Sequence, residues 1–197
     1  MISFDPSVAL VVVDMQNDFA DPGGSLAVAG AGAMLPAVNA AVDVAAAADA
    51  LVVYTQDWHP PSTPHFAKDG GVWPVHCVAG TRGAAFVDGL RVIGDVVVRK
   101  GSNGEDGYSG FTMRDPSTGE EIPTPLADLL SRHGVRRVVV CGLATDYCVK
   151  ATALDAVRLG FETSVLTSAI AAVDLEAGDG ARALDEMARA GAQLTPA

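Results

Sequence analysis

RRVVVCGLATDYCVKATALDAVRLG, residues 136–160, changes its period part-way through. Its first part, RRVVVCG (136–142), is a nearly unbroken β-branched run, as suits a strand covered on both faces. From Asp146 onward, DYCVKATALDAVRLG reads as a helix closing on Gly160, a residue that takes the left-handed turn ending many helices. A strand running through a short loop into a helix is the building unit of an α/β sheet.

Working outward, the same kind of run recurs as VALVVVD (8–14), ALVVYTQD (50–57), GDVVVRK (94–100) and ETSVLTS (162–168), with AQLTP (192–196) as a short sixth candidate. Between them LPAVNAAVDVAAAADA (35–50), TPLADLLSRHG (124–134) and GDGARALDEMARAGA (178–192) read as helices, the last closing near Gly191. The alternation predicts a three-layer α/β/α architecture with a mainly parallel sheet. No internal repeat or linker interrupts it, so residues 1–197 read as one domain. Two long irregular stretches, 58–93 and 101–123, are the places where function is expected.

Bulk properties narrow the class. Apolar residues make up 49% of the 197 and mean hydropathy is +0.28, which excludes a disordered chain. No apolar run reaches membrane-spanning length, and the N-terminus lacks the basic start of a signal peptide, so a cytoplasmic protein is expected. The net charge of −11 argues against nucleic acid and anionic membranes as partners but says little about a small neutral substrate. Three cysteines, an odd number without framework spacing, are expected as free thiols.

In open parallel sheets ligands bind beyond the carboxyl ends of the strands. Asp14, Asp57 and Lys100 each close a predicted strand, and Cys148 lies in the first turn of the helix after the fourth. A free cysteine is usually a small buried hydrophobe, and Cys141, inside an apolar strand, keeps that reading. At a helix N-terminus the dipole favours thiolate, which makes Cys148 a candidate nucleophile. Asp14 reads either as a structural ion pair or as a proton carrier, and Lys100 either as a solvated lysine or as the charge that holds the other two.

DWHPPSTPHFAKDGGVWPVHC (57–77) holds three of the four histidines. Asp57 and His59 are two apart at a strand end and point the same way, while His65 and His76 lie on a loop able to fold back. One carboxylate and three imidazoles suit zinc, iron or manganese; ordinary loop histidines are the alternative. HCVAGTR (76–82) is one residue too short for a phosphatase loop, and KGSNGEDG and DPGGS lack the Lys-Ser/Thr of a phosphate loop. Phe19, Trp58, Phe66, Trp73, Tyr108 and Phe111 crowd the same loops, either as a flat apolar pocket or as loop packing.

DMQNDF (14–19), Asp57-x-His59, PHF (64–66), WPVHCVAGT (73–81), RKG (99–101), YSGF (108–111) and GLATDYCVKATALDA (142–156) together resemble the isochorismatase-like cysteine hydrolases, and within them the nicotinamidase/pyrazinamidase group. The resemblance covers nearly the whole chain in order. It implies a six-stranded parallel sheet and a catalytic triad of Asp14, Lys100 and Cys148. It also implies one divalent transition metal (Zn, Fe or Mn) on Asp57, His59, His65 and His76. By the same carry-over the ring pocket is lined by Phe19, Trp73, Tyr108, Leu143 and Tyr147, and an oxyanion hole is made by backbone N–H groups of Ala144 and Cys148, shaped by a cis peptide before Ala144. The activity implied is hydrolysis of nicotinamide, or a pyrazinamide-like amide, to the acid and ammonia through a cysteine thioester. Two alternatives stand beside it: a carbamoyl or ureido amidase of the same fold, and a catalytically silent small-molecule-binding protein. Some relatives carry His where this chain has Tyr147, which bears on substrate range, and a homo-oligomer is left open.

Overall fold

Val8–Val13 forms β1 with all its side chains buried, at the centre of a sheet that the computed structural model describes over residues 2–196. The chain continues through α1 (Asn17–Ala20), α2 (Ala31–Ala47), β2 (Leu51–Asp57), a single 3-10 turn (Ala67–Asp69) and β3 (Val97–Lys100). A small hairpin, β4 (Thr112–Arg114) with β5 (Glu121–Pro123), precedes α3 (Leu126–Arg132) and β6 (Arg137–Leu143). A π turn (Thr145–Val149) leads into α4 (Lys150–Arg158), followed by β7 (Glu162–Ala171), α5 (Asp179–Ala190) and β8 (Gln193–Thr195).

The main sheet is parallel throughout, in the order β3-β2-β1-β6-β7-β8. The chain builds outward from β1 through β2 and β3, then returns to the other side of β1 and builds outward again. The reversal point therefore lies between β1 and β6, where such folds open a crevice at their carboxyl ends. Successive residues of β1 serve opposite faces. Leu10 and Val12 pack with Met34, Val38 and Val42 of α2, while Ala9, Val11 and Val13 pack with Leu126, Leu130, Ala153 and Met187. Each fully buried valine or leucine contributes roughly 1.5–3 kcal/mol relative to exposure, so this central run anchors both layers.

One glycine brings the two central strands together at their carboxyl ends. Gly142 has φ +112°, and a Cβ on it would lie 2.1 Å from the Val13 carbonyl oxygen. Only glycine combines that backbone angle with that approach.

All six expected strands are present, with shifted ends. Helix α2 begins at Ala31, four residues before the sequence suggested, with Pro36 inside it. Inside the helix Pro36 has no N–H to donate to the Gly32 carbonyl. Strand β3 starts at Val97, not Gly94, whose φ is +65°. Strand β7 runs on to Ala171 because its pairing with β6 resumes beyond an irregularity at Val140/Gly142. Among the described residues no helix is long and apolar enough to cross a membrane.

Candidate active site

Three turns at the carboxyl edge build the site: after β1, after β3 and after β6. Asp14 leaves β1 with φ +46°, an uncommon angle for a residue with a side chain. Its N–H donates to Thr55 Oγ1 at 3.2 Å, and Thr55 Oγ1 donates back to Asp14 Oδ1 at 2.6 Å. Lys100, buried at the end of β3, reaches Asp14 Oδ2 at 2.8 Å and Cys148 Sγ at 3.6 Å, and it also donates to Asp57 Oδ1. Cys148 sits in the π turn, its sulfur within 4.8 Å of carboxylate oxygens of both Asp14 and Asp57.

Burial and charge separate these groups. For Lys100, burial disfavours the ammonium, but the carboxylates of Asp14 and Asp57 outweigh it and the amine stays charged well above its ordinary range. For Asp57, burial is outweighed by Lys100, His59 and His76, and its carboxyl is held at about 2. Asp14 goes the other way: burial, helped by the charge of Asp57, raises it despite Lys100. Burial also pushes the Cys148 thiol well up, against the pull of Lys100 and with the push of both carboxylates. This overturns the sequence expectation of a helix-lowered thiol, since desolvation of a buried sulfur between two acids exceeds what a helix end supplies. At rest Cys148 is a thiol.

The histidines converge. The rings of His59 and His65 lie 4.7 Å apart, His59 and His76 5.1 Å, and His65 and His76 5.2 Å. All three are buried and offer nitrogens within 4.8 Å of one another. Asp57 Oδ2 is 3.9 Å from His59 Nε2 and 3.8 Å from His76 Nε2, so this carboxylate gives one oxygen to Lys100 and turns the other to the imidazoles. His76 Nδ1 bonds the Pro74 carbonyl at 2.7 Å, and His65 Nδ1 bonds Asp106 Oδ1 at 2.7 Å, leaving each Nε2 free. Neither ring nitrogen of His59, buried to 3% exposure, has a hydrogen-bond partner. Burial lowers His59 to about 4 and lowers His76 as well, so these two rings are neutral where they face each other. A buried, unpartnered nitrogen beside two pre-oriented rings and a carboxylate fits a divalent transition metal.

Beside the cluster opens a pocket lined by Phe19, Leu26, Val28, Trp73, Tyr108, Leu143, Ala144, Tyr147 and Val173, with Cys148, Asp57, His65 and His76 also reaching its wall. Tyr147 meets Trp73 and Tyr108 edge-on at 5.2 and 5.4 Å, and Trp73 Nε1 donates to Tyr108 Oη at 3.0 Å. The Leu143–Ala144 peptide is cis, as the resemblance implied.

The isochorismatase domain model matches residues 8–197. The chain belongs to the isochorismatase family. Within that family it is 43% identical to the nicotinamidase/pyrazinamidase of Mycobacterium tuberculosis, over 94% of this chain and 97% of that one. A crystal structure of Pyrococcus horikoshii pyrazinamidase in complex with zinc superposes with TM-score 0.87 at 41% identity, covering 98% of this chain and 100% of that one. PnC1 of L. infantum in complex with nicotinate superposes with TM-score 0.88 at 38% identity, over 99% and 96% of the two chains.

The structure brings Asp14, Lys100 and Cys148 together beside Asp57, His59, His65 and His76, with two departures from the sequence reading. The three histidines form the tight group, and Asp57 is shared with Lys100. Of the six loop aromatics only Phe19, Trp73 and Tyr108 line the pocket. Phe66 packs behind His59 and His76, Phe111 stacks on Phe161, and Trp58 lies under the Arg99 guanidinium at 3.9 Å. The sequence reading missed Thr55, which holds Asp14, and Gln16, which accepts from the Asp57 N–H at 2.8 Å. It missed Asp146, whose two oxygens take the N–H groups of Val173 and Asp174, both at 2.9 Å, and so set one pocket wall. It also missed Asp106. All four act across long sequence separations, so no local spacing could signal them.

Proposed function

We propose that this chain is a single-domain nicotinamidase that hydrolyses nicotinamide, and pyrazinamide-like amides, to the carboxylic acid and ammonia. The observation that carries the reading is a buried thiol between a raised and a depressed carboxylate, on the floor of an aromatic-walled pocket. Carboxylates pushed apart in this way divide their labour: Asp14, raised, is the one suited to hold and exchange a proton, whereas Asp57 stays ionised. The relatives that bear these names, and the nicotinate bound to one of them, point to the substrate.

Asp14 takes the Cys148 proton as sulfur attacks the amide carbon. The oxyanion rests on the N–H groups of Ala144 and Cys148. Asp14 then protonates the amide nitrogen, the C–N bond breaks, ammonia leaves and a thioester remains. A water attacks the thioester, Asp14 accepts its proton and returns one to Sγ, and the acid departs. Lys100 stays charged throughout and fixes the positions of Asp14 and the sulfur. Phe19, Trp73, Tyr108, Leu143 and Tyr147 hold the ring flat and exclude water. His59, His65, His76 and Asp57 would hold one metal ion, zinc by analogy with the P. horikoshii protein, which when bound supplies a Lewis-acid contact for the ring nitrogen.

The test is ammonia release from nicotinamide by zinc-loaded protein, with and without a chelator. Release that the chelator suppresses is expected; zinc-loaded protein that releases none refutes the reading.

A further inference from the structure

The loop between β3 and the hairpin was set aside in the sequence as a glycine cluster without phosphate chemistry, yet it delivers a carboxylate to the histidine cluster. Asp106 Oδ1 accepts from His65 Nδ1 at 2.7 Å and from the Gly107 N–H at 2.8 Å. Its backbone is pinned to β4, with the Asp106 N–H donating to the Arg114 carbonyl at 2.8 Å and the Arg114 N–H donating back. Gly107, at φ +138°, lets the chain pass so close to β4 that a Cβ there would lie 3.1 Å from Met113 Cα. The hairpin thus presents one oxygen at a fixed place behind the His65 ring.

An imidazole that donates from Nδ1 keeps its lone pair on Nε2, and an anionic acceptor makes that lone pair a better donor to a cation. We propose that Asp106 is a positioning residue for metal binding: it fixes the tautomer and orientation of His65, and so sets the affinity of the cluster. The proposal rests on the reading that the three histidines and Asp57 hold a metal. Because the Asp106 side chain is 48% exposed, the expected effect lies at the lower end of the 10- to 100-fold range for outer ligands.

Zinc dissociation constants, measured on metal-stripped full-length protein by competition with a chromophoric chelator, test it. Asp106→Ala and the similarly sized Asp106→Leu, neither able to accept a hydrogen bond, should each bind zinc about tenfold more weakly. Asp106→Asn keeps an accepting oxygen without the charge and should recover most of the loss, to within about threefold of wild type. Glu105→Ala is the control for loop packing, since Glu105 holds Asn103 in the same loop and makes no bond to His65. It should leave zinc affinity within about twofold. Ala and Leu variants that match wild type overturn the inference, and so does a Glu105→Ala loss as large as theirs. A wild-type chain that binds no zinc overturns the metal reading and the inference with it.

Discussion

Two buried clusters share the carboxyl edge of the sheet and treat polar groups in opposite ways. Around Lys100 opposite charges meet: the ammonium touches Asp14, Asp57 and the Cys148 sulfur, and Thr55 braces Asp14 from behind. Around His59 like groups meet: three imidazoles face one another, and neither ring nitrogen of His59 has a hydrogen-bond partner. The first arrangement is closed by its own side chains and is suited to moving a proton. The second holds His59 and His76 below their ordinary range, and its geometry is that of a candidate metal site. Asp57 belongs to both, with one oxygen for each.

The sharpest way to break this division is Cys148→Ala. It should lower turnover of nicotinamide by at least about a thousandfold while metal content stays at wild-type level, because nothing else nearby can form the thioester. Cys141→Ala should keep activity within about tenfold, its thiol being buried in a strand and pushed up to about 12. A Cys148→Ala enzyme within tenfold of wild type would remove the covalent route. Next, Asp14→Asn should cost about 100-fold or more in kcat with little change in substrate affinity, read from single-turnover and binding measurements. Unchanged kcat would transfer the proton work elsewhere.

The other cluster is tested by metal analysis. His59→Ala should lose most of about one metal ion per chain, whereas His133→Ala, at the end of α3 and bonded to the Leu129 carbonyl, should keep it. Benzamide, which has the ring shape without the ring nitrogen, should be turned over at least about tenfold more slowly than nicotinamide; equal rates would reduce the histidines to packing. The smallest effect expected is on stability. His59 falls from 6.5 to about 4 on folding, so between those values the unfolded chain binds a proton that the folded chain refuses. Stability then rises with pH across that window and is lost on acidification. Melting of metal-free protein should drop roughly 5–10 °C between pH 7 and pH 4.5, and the His59→Ala variant should show a smaller drop.

The sheet was legible because its Val-rich strands cannot be mistaken for half-wet ones, and the ends of β1, β2 and β3 then place Asp14, Asp57 and Lys100 without further help. What the sequence concealed were the partners that tune those groups. Thr55 and Asp106 meet their targets 41 residues away along the chain, and a local motif carries no trace of such a contact. The acidity of Cys148 was misjudged for a related reason. Its place near a helix start is visible in the sequence, but its burial between two carboxylates exists only after folding.

The strands at the two margins of the main sheet are its shortest, four residues in β3 and three in β8. VALVVV and RVVVCGL, with high β-propensity and little or no charge, are the kind of segment that stacks into fibrils when its backbone is offered to another chain. Here both are locked in the middle, and a newcomer would find only a few unpaired backbone groups to template on. That protection lasts only while the sheet is assembled. Concentrated native protein should stay clear on storage, whereas a variant that loosens β1 should precipitate before it can be recovered, so its damage would register first as lost solubility and only second as lost activity.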